Sequence, residues 1–380
     1  MLLRYFYDRF EQAKPLTSCY IAVTCLGGNL GLTDCDYGNV LGAFLQGVLK
    51  SIKQELPAVL AKTIDFPAHA LMETMILSVI QEVEDGNDRM EVAYGDRRYV
   101  VHHKQANFSD QTPLARFIRE GDVYVFSGGG RGIVFECAVA LALLGVTVIV
   151  CGRTKIEDES APWLEMDDEE FAAYEREQLI KQHQTVSSFT PAGFKKAFAR
   201  LVKERELYQN MRKAKRLGIV YEVCDINDRN QVHDMVQDIL KRYGRLDGVI
   251  HGAMVEWSMI IPKKTKKIIQ RTMETKVIGM CNLLEATKNI PLQSFLCFGS
   301  GAGRFGNKGQ ADYSAANSLM SALLVAKCRQ RAGLHHATLN WTAWQSVGAA
   351  VSDPSVTEAL KAAVSRLLLQ KRVFTGLSVN

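Results

Sequence analysis

The run DVYVFSGGGRGIVFECAVALALLGVTVIVCGRTK (122–155) constrains this chain more than any other stretch. It reads as an apolar β-branched strand, a glycine turn, a long apolar helix and a second apolar strand. Parallel strands need a crossover of this kind, and a parallel sheet covered on both faces makes its strands continuously apolar. The pattern then resumes. IVYEVCD (219–225) is a third strand, 228–244 a helix stopped by Gly244, and LDGVIHGA (246–253) a fourth strand. A helix follows over about 265–289, then strand SFLCFGS (294–300), a helix over about 312–331, and strand HATLNW (336–341). The predicted fold is α/β, a doubly wound parallel Rossmann sheet of at least six strands.

The interruption at about 156–217 is rich in Glu, Lys and Gln and reads as inserted helices on the sheet's flank, without a chemical motif. Residues 1–115 read as a smaller version of the same design. CYIAVTCLGG (19–28) ends a strand in glycines, GAFLQGVLKSIKQELP (42–57) is a helix, and AKTIDF (61–66) is another strand. LGGNLG (26–31) is not followed directly by a helix, and no acidic ribose partner follows, so cofactor binding is not expected there. EVAYGDRRYVVH (91–102) predicts a hairpin turning at YGDRR. The expected organisation is a structural half-domain over 1–115 and a doubly wound subdomain over 116–380.

Composition narrows the function classes. With 47% apolar and 23% charged residues the 380-residue chain is ordinary globular material. A net charge of +5 lacks the concentrated basicity of a nucleic-acid binder, and the basic run PKKTKKIIQR (262–271) reads as a solvated helix start. The nine cysteines are an odd number, scattered singly without a CxxC pair, which points to buried thiols in a reducing compartment. There is no HExxH, and no metal is expected. The start carries Arg4, Asp8, Arg9 and Glu11 among its apolar residues, unlike a signal peptide, and no window is long and uncharged enough for a membrane span. A cytoplasmic protein is expected.

SGGGRGI (127–133), between a strand and a helix, has the context of a dinucleotide site: glycines admit a pyrophosphate, and the helix N-terminus offers unpaired N–H groups. Ser127, Gly128, Gly130, Arg131, Gly132 and Ile133 are the expected contacts; Val134 stands where a third glycine is common. The second strand ends in CGRTK, with Arg153 and Thr154 in place of an acidic ribose partner. Arg153 and Arg131 suit a 2′-phosphate, so NADPH is preferred to NADH. Asp225, with Ile226, is placed to contact the adenine or to cap the following helix.

Ser300 and Tyr313 fall at the carboxyl edge of the sheet, where ligands of open α/β sheets bind. Such a hydroxyl pair can hold a carbonyl oxygen while the phenol donates a proton. The phenolate left behind calls for a nearby cation, and Lys276 in METKVIGM (273–280) is the candidate.

FGSGAGRFGNKGQADYSAANSLMSALL (298–324) closely resembles the active-site segment of ketoreductase domains of polyketide synthases, in the short-chain dehydrogenase/reductase superfamily. In that family the lysine and asparagine have exchanged positions relative to the simpler dehydrogenases. The resemblance puts the catalytic lysine, serine, tyrosine and asparagine at Lys276, Ser300, Tyr313 and Asn317. NWTAW (340–344) resembles the next landmark, beside the nicotinamide, with Thr342-Ala343 in place of Gly-Pro. GGGRGIVFECAVALA (128–142) and the long insertion are most similar to ketoreductases of polyunsaturated fatty acid synthases, where the third glycine is also commonly replaced.

The resemblance implies NADPH-dependent reduction of a β-ketoacyl thioester on an acyl carrier protein, beside other synthase domains. It also implies that 1–115 is a truncated Rossmann structural subdomain and 116–380 the catalytic one. The alternatives are a free-standing dehydrogenase of small ketones and a catalytically silent scaffold. Trp257, Phe305 and Trp344 are the implied substrate contacts. The loop marker of one alcohol configuration would fall at 256–258 and the tryptophan marker of the other at Phe305, and neither has its usual form. Met254 replaces the glycine expected after the fourth strand. The absence of carrier or condensing motifs suits both an excised domain and a discrete subunit.

Overall fold

A computed structural model describes residues 2–14, 17–33, 35, 37–105, 118–185, 189–329, 331–342 and 373–379. The chain begins with α1 (Leu2–Glu11), β1 (Cys19–Thr24), α2 (Gly42–Glu55), β2 (Leu60–Asp65), α3 (Met72–Glu84), β3 (Glu91–Tyr94) and β4 (Arg98–Gln105). β1, β2 and β3 are parallel, and β3 and β4 form the expected hairpin. All six positions of β2 are buried, as a strand covered on both faces requires. Its Lys62 is tolerated there because Glu82 of α3 lies 2.7 Å away.

The second sheet follows: β5 (Val123–Ser127), α4 (Gly132–Ala142), β6 (Thr147–Gly152), then α5 (Asp168–Thr185) and α6 (Pro191–Ala214) of the insertion. Next come β7 (Val220–Val223), α7 (Arg229–Tyr243), β8 (Gly248–His251), α8 (Lys266–Met273) and α9 (Gly279–Ala286). β9 (Ser294–Ser300), α10 (Gly301–Phe305), α11 (Ala311–Cys328) and β10 (His335–Trp341) complete it. The six strands are all parallel in the order β10-β9-β8-β5-β6-β7, the doubly wound arrangement expected. α7 is bounded as its sequence predicts: Asp228 accepts from the Asn230 and Gln231 amides, and Gly244 stops it in the left-handed region.

Three features depart from the sequence reading. The helix expected over 265–289 is interrupted by a π-helical turn, Glu274–Ile278. α6 packs on the sheet's flank through Met211 and Ala214, as expected, but it also reaches the glycine turn after β5, where Leu207 packs against Gly130. A last strand, β11 (Val373–Val379), returns to the first sheet and pairs antiparallel with β4. Of the basic run, Lys264 is buried while Lys263, Lys266 and Lys267 are exposed. Of the nine cysteines, Cys19 is exposed and the others are buried or half-buried. Among the described residues no helix is long and apolar enough to cross a membrane.

The two sheets are joined through helices. α2 lies against α11 so closely that a Cβ on Gly47 would sit 2.4 Å from the Ser314 carbonyl oxygen. Beside this crossing Lys50 of α2 and Arg304 of α10 both pair with Glu91 of β3, the lysine at 2.9 Å. Burial works to raise the Glu91 carboxyl, but the two cations outweigh it and hold it at about 2.

Candidate active site

The carboxyl ends of β5, β8 and β9 set the floor of the site, and the π turn sets its wall. A π turn adds a residue to the helical repeat and is commonly found at functional positions. Here it presents Lys276, 1% exposed, toward β9. Its Nζ donates to the Phe298 carbonyl oxygen at 2.5 Å and lies 5.9 Å from the centre of the Tyr313 ring. Burial lowers this ammonium to about 8.

The turn has a partner that the sequence did not advertise. His251, fully buried at the end of β8, has Nε2 3.0 Å from the Lys276 carbonyl oxygen and Nδ1 2.7 Å from Ser127 Oγ. A carbonyl only accepts, so Nε2 carries the proton, and Ser127 must donate to Nδ1. Burial, reinforced by the Lys276 charge, pushes this imidazole down to about 3, so the ring is neutral and keeps that tautomer. Ser127 of the glycine turn is therefore linked through His251 to the main chain of Lys276.

Tyr313 and Asn317 lie one turn apart on α11. The Asn317 Nδ2 donates to the Tyr313 carbonyl at 2.8 Å, and its Oδ1 is buried without a partner. Ser300 caps α10 by accepting from the Ala302 amide at 3.2 Å. The Tyr313 hydroxyl meets Met254 Sδ at 3.6 Å. Burial raises the phenol to about 12; the Glu256 charge acts in the same sense, while the Asn317 and Ser300 side chains oppose it. The structure thus brings Lys276, Ser300, Tyr313 and Asn317 together.

The loop between β8 and α8 is anchored by Lys264. Its ammonium pairs with Asp312, 2.6 Å away on α11, and donates to the Trp257 carbonyl at 2.9 Å. Trp257 itself is 37% exposed at the mouth of the site. The Phe305 ring lies against His103 of β4, 4.8 Å between centres, on the side of the first sheet. Trp344 lies outside the described residues.

The glycine turn lies where β5 passes into α4. α4 opens after Arg131 with no side-chain cap, so its first amides are left for a ligand. Gly128 and Gly130 line the turn with Ser127, and Gly132 and the half-buried Ile133 begin the helix. Arg131 pairs with Glu206 of α6 at 3.2 Å, and Arg153 is exposed. The Thr154 carbonyl accepts from Tyr221 at 2.7 Å and the Ile226 carbonyl from Asn282 at 2.8 Å. Asp225 accepts from the Asn227 amide at 3.0 Å, a local turn that leaves its second oxygen available.

The matching loop of the first sheet is different. There the Asp65 carboxylate accepts from the amides of Leu26, Asn29 and Leu30 at 2.6, 3.0 and 2.8 Å, and from the Thr24 hydroxyl at 2.7 Å. An internal anion occupies the donors that a phosphate would use.

A family model described as KR domain matches residues 123–346. The chain is 25% identical over 319 residues to the polyketide synthase PksN of Bacillus subtilis (strain 168), covering 81% of this chain and 5% of that protein. It is 27% identical over 338 residues to one of the polyunsaturated fatty acid synthase subunits of Thraustochytrium sp., covering 83% of this chain and 12% of that one. It therefore spans a small part of the length of these relatives. Among solved structures, a ketoreductase domain from the bacillaene assembly line shares the fold with a TM-score of 0.69 at 22% identity, over all of this chain and 81% of that one. The first ketoreductase of the tylosin synthase does so with a TM-score of 0.64 at 20% identity, over 97% and 69%. With the family match running through the glycine turn, the π turn and α11, this chain belongs to the KR, or ketoreductase, domain family.

Proposed function

We propose that the chain catalyses NADPH-dependent reduction of a β-ketoacyl thioester, carried on an acyl carrier protein, to the β-hydroxyacyl thioester. The observation that carries this reading is the Lys276 ammonium held over the Tyr313 ring by a π turn, with Ser300 at the adjoining strand end. NADPH, when bound, supplies the hydride. Ser127 to Gly132 and the uncapped start of α4 hold its pyrophosphate, and Arg131 and Arg153 take the 2′-phosphate.

Ser300 orients the β-carbonyl oxygen. Tyr313, kept protonated by burial, donates its proton to that oxygen as negative charge develops there. Lys276 stabilises the phenolate and holds the cofactor ribose, while Asn317 offers the free Oδ1 to a water that returns the proton. Trp257, Phe305 and Trp344 are proposed substrate contacts, and neighbouring synthase domains supply and take the acyl chain. The similarity to a polyketide synthase and to a polyunsaturated fatty acid synthase supports this substrate class.

The test is NADPH consumption with a β-ketoacyl thioester, followed by chiral analysis of the alcohol. Tyr313→Phe is expected to lower turnover by about 10³-fold or more, with NADPH affinity nearly unchanged. Retained turnover in that variant would remove Tyr313 as the acid; a wild-type chain that reduces only free small ketones would remove the carrier-bound substrate.

A further inference from the structure

We propose that the inserted helix α6 completes the cofactor site, with Lys203 serving beside Arg131 and Arg153 as a third cation for the 2′-phosphate; this rests on the NADPH reading above. The insertion lacks a sequence motif, but one face of α6 is built onto the glycine turn. Leu207 Cδ1 occupies the place where a Cβ on Gly130 would fall, at 2.6 Å. Asn210 Nδ2 donates to the Gly130 carbonyl at 3.1 Å, and Glu206 pairs with Arg131 at 3.2 Å. Lys203, Glu206, Leu207 and Asn210 are spaced three, four and seven residues apart, on a single helical face. The contacts of the last three carry Lys203 to the rim of the turn.

The charges there are not balanced. Glu206 is engaged by Arg131, and Glu204, the next carboxylate on α6, shares Arg200 with Glu157, at 3.4 and 3.0 Å. Among the described residues neither Lys203 nor Arg153 has a carboxylate within ion-pair distance. Partial burial, then the charges of Arg131 and Arg153, hold the Lys203 ammonium below the usual lysine range. Three cations against one carboxylate leave a surplus of two positive charges, which a phosphate monoester of about −1.5 to −2 neutralises. The same chemistry would also accept the phosphate of a phosphopantetheine arm, so the experiment must separate the two sources.

Dissociation constants for NADPH and NADH are measured by nucleotide fluorescence on the full chain and its variants, with adenosine 2′,5′-bisphosphate, 5′-AMP and phosphopantetheine as competitors. Lys203→Gln is expected to weaken NADPH and the bisphosphate about tenfold and to leave NADH, 5′-AMP and phosphopantetheine unchanged. Lys203→Arg should keep the preference, and Lys195→Gln, the same charge change two turns away, should have no effect. A wild-type chain that binds NADH as tightly as NADPH overturns the cofactor reading and this proposal with it. A wild-type preference for NADPH that survives Lys203→Gln overturns the role of Lys203 alone. So does an equal loss in Lys195→Gln, or a loss confined to phosphopantetheine.

Discussion

Lys276 is asked to be charged in a place that resists charge. Its ammonium is buried against a single carbonyl and the face of a phenol ring, and burial brings it to about 8 from the ordinary 10.5. In the proposed mechanism, the cation that would support the Tyr313 phenolate is lost as pH rises through about 8. We predict that turnover at saturating substrates is level below neutrality and falls along an alkaline limb with a midpoint near 8, read from a kcat–pH profile. On the stability side the sign is opposite. Between about 8 and 10.5 the unfolded chain holds this proton and the folded one does not, so stability rises with pH across that window. Below about 8 the cost of the buried ammonium is present in full. Lys276→Met should therefore abolish reduction while raising the unfolding free energy at pH 7 by roughly 1–3 kcal/mol. A thermal melt in which the variant unfolds lower than the wild type would contradict this account.

At the scale of elements, the crossing of α2 and α11 places the first sheet's helix one residue from Tyr313. A side chain at Gly47 must displace the Ser314–Ala315 backbone, and the nearby Ser51–Ser314 hydroxyl contact of 2.8 Å would go with it. Gly47→Val is expected to cost about 1–3 kcal/mol by overpacking and to lower kcat in the same variant, checked by denaturant unfolding and steady-state rates. Loss of stability with unchanged kcat would mean that the tyrosine is held independently of this contact. Such couplings explain what the sequence disclosed and what it hid. β5, β6, β8 and β9 were legible because each is a local apolar run, and Tyr313 and Asn317 because polar groups one turn apart stand out in small-residue surroundings. The π turn was not, since METKVIGM has an ordinary helical pattern and its carbonyl partner, His251, comes from a different strand. Lys264 was hidden within a basic run whose other members are solvated, its partner Asp312 being supplied by another helix. α6 gave no signal because its contacts to the glycine turn span 75 and 80 residues.

Across the whole molecule, one architecture is used twice with opposite results. The second sheet leaves the start of α4 uncapped, while the first folds its glycine loop around Asp65. A carboxylate fixed by its own strand competes at an effective concentration that no dissolved phosphate reaches. Stoichiometry follows from this arrangement. Calorimetric titration should return one equivalent of NADPH per chain, and a second equivalent would show that Asp65 can be displaced. Half of this duplicated design is in effect permanently self-liganded, and only the other half leaves its helix start open to the solution.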